Sequence, residues 1–89
     1  MEFEFDPLKS TSNLEKHEIS FIEAQKIWLD PDRIEIPARK VDNETRFAVI
    51  GKIESKCWIA VITYRETVIR LISVRTPTKK ELRYYDEGN

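Results

Sequence analysis

Apolar and polar positions follow two different periods along the chain, and the change of period separates a helical front from a stranded back. Phe3-Glu4-Phe5 alternates apolar and charged residues and predicts a short opening strand. Asp6-Pro7 stops it. The Asp6 carboxylate can cap a helix whose first position Pro7 takes, where a missing N–H costs nothing, so a first helix is expected over residues 7–16. Ser20 with Glu23 forms a capping-box pattern, and Phe21, Ala24, Ile27 and Trp28 recur at helical spacing until Asp30-Pro31-Asp32 ends the run. The short segment 16–19 between the two helices makes them an αα-hairpin.

From Arg33 the period becomes that of strands. Ile34 and Ile36 alternate with Arg33, Glu35 and Pro37, a polar turn follows at 41–44, and three further strands are expected over 46–52, 58–64 and 68–74. Their connections, 53–56 and 65–67, are short enough to favour consecutive antiparallel pairing. Ile59-Ala60-Val61-Ile62, and Val68-Ile69 with Leu71-Ile72, are apolar on both faces, which places these two strands in the middle of the sheet with cover on both sides. Thr78 with Glu81 repeats the capping-box pattern and opens a last helix through Leu82, Tyr84 and Tyr85 to Gly88. The expected fold is α+β: an antiparallel sheet with an N-terminal helical hairpin and a C-terminal helix, in the order β-α-α-β-β-β-β-α.

Composition agrees with one packed domain spanning residues 1–89. The apolar fraction is 40% and the aromatic fraction 10%, unlike a disordered chain, and a domain this small has little stability to spare. The N-terminus has neither a basic region nor an apolar one of the signal-peptide kind, and no apolar run approaches the ~20 residues of a membrane span. A cytoplasmic protein without a membrane partner is expected. Cys57 stands alone beside Trp58 in an apolar run, which excludes an intrachain disulfide and predicts a buried thiol; Trp28 and Trp58 are assigned to the core. One cysteine and one histidine, His17, cannot build a zinc site of the Cys/His kind, and no cofactor is expected.

The net charge of −1 hides an asymmetry. Residues 1–44 hold six Lys/Arg against eleven Asp/Glu, whereas residues 45–83 hold nine against three. A basic half with interleaved aromatics suits a polyanion, and an acidic half opposes indiscriminate coating of nucleic acid. Solvated faces would leave the same pattern.

Phe3-Glu4-Phe5-Asp6-Pro7, Lys9, Asn13, Lys16-His17, Ser20-Phe21 and Glu23-Ala24 resemble the opening signature of the BrnT toxin family. Ile72-Ser73-Val74-Arg75, Lys79-Lys80-Glu81, Arg83 and Tyr85 resemble its ending, with Arg46, Gly51 and Tyr64-Arg65-Glu66 between. The resemblance implies a RelE-like fold and metal-independent RNA cleavage that inhibits translation. It also implies a cognate ribbon-helix-helix, BrnA-like antitoxin, with operator DNA bound only through the toxin–antitoxin complex. Two positions depart from the pattern. Glu18 stands where the family often has glycine, which removes the easy left-handed C-cap and predicts a differently shaped turn. Pro77 stands where alanine is commoner and stiffens the entry to the last helix.

Cutting RNA without a metal requires activation of the 2′-hydroxyl, stabilisation of charge at phosphorus and protonation of the leaving oxygen. Arg75 and Arg65, at strand ends, suit the second task because a guanidinium holds phosphate oxygens bidentately at any working pH. His17 is the natural proton carrier, imidazole being the side chain that exchanges protons near neutrality. Lys16, Arg70, Lys79, Lys80 and Arg83 are expected to bind substrate, the last three at a helix N-terminus. A tight hairpin would put Arg65 and Arg75 at opposite ends, so one site requires the sheet to bend one inward or Arg70 to replace one of them. Each of these side chains also has a structural use as an ion-paired or solvated group. One of Tyr84 and Tyr85 is expected in the core, although both could stack on bases. A second reading is a non-catalytic module that acts only with its antitoxin as a DNA-binding repressor.

Overall fold

Local caps set most of the boundaries in the computed structural model, which describes residues 1–88. Strand β1 is Glu2–Glu4 and helix α1 is Pro7–His17, where Leu8 N–H donates to Asp6 Oδ1 at 2.9 Å. The helix ends on Glu18 in the left-handed conformation (φ 65°, ψ 25°), its N–H donating to Leu14 O. The left-handed cap expected to be lost with glycine therefore forms, at a cost of roughly 1–2 kcal/mol for a residue with a Cβ.

The second helix is shorter than its apolar spacing suggests. Ser20 Oγ accepts from Glu23 N–H and α2 covers Phe21–Ala24, after which the chain tightens into a 3₁₀ turn at Gln25–Leu29. That turn lies directly on the sheet: a Cβ built on Gly51 would be 2.9 Å from Ile27 Cγ2 and 3.2 Å from Ile27 O. The Asp30 carboxylate then anchors the turn's exit, accepting from Lys52 N–H at 2.7 Å and Asp32 N–H at 2.8 Å.

Strands β2 (Ile34–Pro37), β3 (Phe47–Ile53), β4 (Lys56–Arg65) and β5 (Val68–Arg75) form the expected antiparallel meander. β1 joins its edge parallel to β5, from Glu2 opposite Val68 to Glu4 opposite Arg70, so the five-stranded sheet is mixed, in the order β1-β5-β4-β3-β2. Helix α3 (Lys79–Glu87) closes the order β-α-α-β-β-β-β-α. No helix among the described residues is long and apolar enough to cross a membrane.

The two faces of the sheet are covered unequally. Phe21, Ala24 and Ile27 pack on Val49, Ala60, Ile62, Ile69, Leu71 and Val74, with Trp58 buried and Trp28 only partly buried at the margin. On the other face Ala48, Ile50 and Ile59 are covered by a single α3 side chain, Tyr85, with Cys57 half-buried beside them. Helix α1 is attached by polar side chains rather than apolar ones. Phe21 N–H donates to Ser10 Oγ at 2.9 Å, and the Asn13 amide bonds Val74 O, Val74 N–H and Ile19 O. Because β1 stops opposite Arg70, Asn13 stands in for a neighbouring strand further along the β5 edge.

Candidate active site

Strand β5 does not keep one alternation along its length. Ile62 lies opposite Leu71 and Val61 opposite Ser73, so Ile72 is the extra residue of a β-bulge. Leu71 and Val74, three apart, consequently both enter the helix-covered core, and Arg75 lies opposite Ile59 of the open face. In an unbroken strand Arg75 would share the face of Leu71 and point under the helices. The bulge re-aims it.

There Arg75 lines a cavity of about 380 Å³. Ile36, Ala48 and Val61 contribute apolar surface, and Arg39, Arg46, Ser73 and Glu81 supply polar groups. Arg75 donates from Nη1 to Glu81 Oε1 (2.7 Å) and from Nη2 to Glu81 Oε2 (2.9 Å), with a third bond from Nη1 to Thr76 O at 3.3 Å. Glu81 is also the third residue of α3 and completes its capping box. Its Oε1 accepts from Thr78 N–H at 2.8 Å, while Glu81 N–H donates to Thr78 Oγ at 3.2 Å. The Arg75 hydrogen bonds outweigh partial burial and hold the Glu81 carboxyl at about 2, so it is ionised at any working pH. Arg46 is paired with Glu44 at 3.1 Å, and Arg39 is exposed.

Ile72 and Ser73 line a second depression as well, about 200 Å³, whose other wall is the α1 surface carrying Lys9, Ser12, Lys16 and His17. The structure thus brings three residues singled out from sequence, Arg75, Lys16 and His17, to the two sides of one short strand segment. Asn13 fixes that juxtaposition by tying α1 to Val74.

The other residues singled out lie elsewhere. Arg70 projects on the open face opposite Thr63 and donates to Glu4 at 2.8 Å; Arg65, in the β4–β5 turn region opposite Val68, approaches the same carboxylate oxygen at 3.5 Å. Arg70 and Arg65 are therefore neighbours of each other and not of Arg75, from which Arg70 is separated by roughly 15 Å of strand at ~3.3 Å per residue. Lys80 and Arg83 line a separate shallow depression with Tyr84 and Glu87, and Lys79 is exposed at the start of α3. Tyr84 is exposed and Tyr85 is the core residue. Tyr85 donates to Asp30 Oδ2 at 2.6 Å, and this bond, with burial, raises its phenol.

A larger hollow, about 610 Å³, opens on the helix-covered side between Met1, Trp28 and Tyr64. Its polar groups are Arg33, Thr67 and Glu35, which accepts from the Tyr64 hydroxyl; burial first, then this bond, push that phenol up to about 12. One arginine beside a carboxylate is poorly suited to a polyanion, so the smaller cavity is the better candidate despite its size.

Arg39, Arg46 and Ser73 did not stand out in the sequence as site residues. They meet Arg75 only through strand register and the bulge. Neither leaves a mark on any one segment, although the adjacent apolar pair Leu71-Ile72, which shifts the alternation ahead of Ser73-Val74-Arg75, was a weak signal.

Among curated proteins no match to the chain is found. A family model does match, over residues 5–81, and is described as the ribonuclease toxin, BrnT, of a type II toxin–antitoxin system.

Proposed function

The chain belongs to the BrnT family of type II toxin–antitoxin ribonuclease toxins, and from that premise we propose that it is an endoribonuclease that needs no metal ion and cleaves RNA on the open face of its sheet, thereby inhibiting translation. A cognate ribbon-helix-helix antitoxin neutralises it, and the pair together binds operator DNA. The observation that carries the site is the Ile72 bulge, which turns Arg75 out of the core into a cation-lined cavity adjoining Lys16 and His17.

Arg75 meets the charge that grows on the scissile phosphate, where a fixed, partly desolvated guanidinium is worth more than in water. His17 moves the proton, from the 2′-hydroxyl or to the leaving oxygen. Lys16 holds an adjacent phosphate, with Arg46 and Arg39 on the cavity side. Arg70 and Arg65, further along the same hairpin, and Lys79, Lys80 and Arg83, at α3, contact flanking backbone rather than the reacting group.

Purified protein incubated with RNA in excess EDTA should cleave it, and Arg75→Ala should cut about 10²–10³-fold more slowly while remaining folded and antitoxin-bound. Arg75→Lys should rescue poorly, because lysine has no bidentate fork. Wild-type cleavage by folded Arg75→Ala would remove the site assignment, and activity lost in EDTA but restored by a divalent ion would remove metal independence. If no RNA is cut while the antitoxin complex still binds its operator, the non-catalytic reading stands instead.

A further inference from the structure

We infer that Glu81 is a positioning residue for Arg75: it grips the guanidinium by one edge and thereby presents the other edge to a phosphate. The inference rests on the reading of Arg75 as the phosphate-binding arginine. It follows from counting donors. A guanidinium carries five N–H groups in one plane. Glu81 takes one from each Nη and Thr76 O takes the second from Nη1. Two remain, Nε–H and the second Nη2–H, and these lie parallel along a single edge with no protein partner among the described residues. That edge is a complete bidentate fork for a phosphate, available while Glu81 stays bound.

The grip is rigid because Glu81 is itself fixed to backbone. Its Oε1 accepts from Thr78 N–H, and its own N–H is tied to Thr78 Oγ at the start of α3. The far part of the helix is fastened by Tyr85 to Asp30. No other arginine among the described residues is held this way. Arg70 makes one bond to Glu4 and shares that carboxylate with Arg65, and Arg46 meets Glu44 through Nε alone. Orientation within 10–20° is what a fixed catalytic group requires, and a side chain with four free torsions does not provide it unaided.

Glu81→Gln separates gripping from capping. The amide oxygen can keep Thr78 N–H and one Arg75 bond, but the second Nη bond is lost. Steady-state cleavage of a short RNA in EDTA should show kcat reduced about 10-fold for Glu81→Gln and up to about 10²-fold for Glu81→Ala, with KM little changed, as misplacement of a reacting group predicts. Ser20→Ala, which removes the cap of α2 instead, should lower the unfolding midpoint and leave kcat alone. In a double-mutant cycle the losses should not add: Glu81→Gln with Arg75→Ala should cleave no more slowly than Arg75→Ala by itself. Wild-type kcat in Glu81→Gln, while Arg75→Ala is inactive, overturns the positioning role and spares the site. Additive losses overturn it too, and so does tighter RNA binding by Glu81→Gln, which would make Glu81 a competitor of phosphate. Wild-type cleavage by Arg75→Ala is the separate result that removes the site itself.

Discussion

The two faces of the sheet are finished by different interactions, and β5 contributes to both. On the helix-covered face, Phe21, Ala24, Ile27, Val74 and Ile62 are wholly excluded from solvent, and the buried polar groups of Ser10 and Asn13 are satisfied by backbone partners. On the open face the apolar surface is covered at one end by Tyr85; beyond it stand arginines, four of them paired with nearby carboxylates. Partly exposed ion pairs of this kind are worth about 0–1 kcal/mol each. They do not explain the stability of the fold. Their effect is orientation: the covered face keeps the chain folded, and the open face keeps charged groups aimed.

The largest expected contrast is in stability. Phe21→Ala should cost about 3–5 kcal/mol, enough to unfold much of so small a domain, whereas Val61→Ala on the half-buried open face should cost about 1 kcal/mol or less. Urea unfolding of the two variants measures this directly. Equal losses would mean that the open face belongs to the core, and the division would fail.

A smaller effect sharpens the comparison at Arg75. The Glu81 carboxyl is depressed to about 2 in the folded protein from an ordinary value of 4.5. Above pH 4.5 both folded and unfolded forms are ionised and the pair's contribution is complete. As the pH falls from there toward 2 the unfolded chain takes the proton first, and that contribution is lost. Urea midpoints at pH 7, 5 and 3 should therefore fall more gently for Glu81→Gln than for the wild type. Parallel curves would show that the pair is not formed in solution.

How far the sequence was legible follows from the same division. Asp6-Pro7, Ser20 and Thr78 with Glu81 announced helix starts because a cap is made within four residues, and the two-sided apolar runs placed β4 and β5 inside the sheet. The 3₁₀ turn after Ala24 was hidden, since it depends on Ile27 meeting Gly51. The parallel pairing of β1 joins residues more than sixty positions apart, and nothing local encodes it. At the site, residue types pointed to Arg75, His17 and Lys16. What was invisible is why they come together: a bulge that reverses the facing of half a strand, and an asparagine that replaces a strand. Glu81 was legible only as a cap, because its bonds to Arg75 cross from strand to helix.

The smallest effect concerns the turn between the helices. Glu18→Gly should raise stability by about 1 kcal/mol by removing the Cβ penalty of its left-handed backbone. The gain should appear as a higher unfolding temperature with unchanged RNA cleavage, since Glu18 is exposed and lines neither depression of the site. Lower cleavage in a more stable Glu18→Gly would tie the turn to the neighbouring His17.

The central claim, that RNA lies on the open face, is tested most directly by titrating the ¹⁵N-labelled protein with an uncleavable 2′-O-methyl oligoribonucleotide and following backbone amide shifts. The account predicts that Ser73, Arg75, Val61, Arg46, Lys16 and His17 move together, while Ala24 and Ile27 do not. Shifts confined to the hollow beside Trp28 and Tyr64, with Ser73 and Arg75 unmoved, would contradict it.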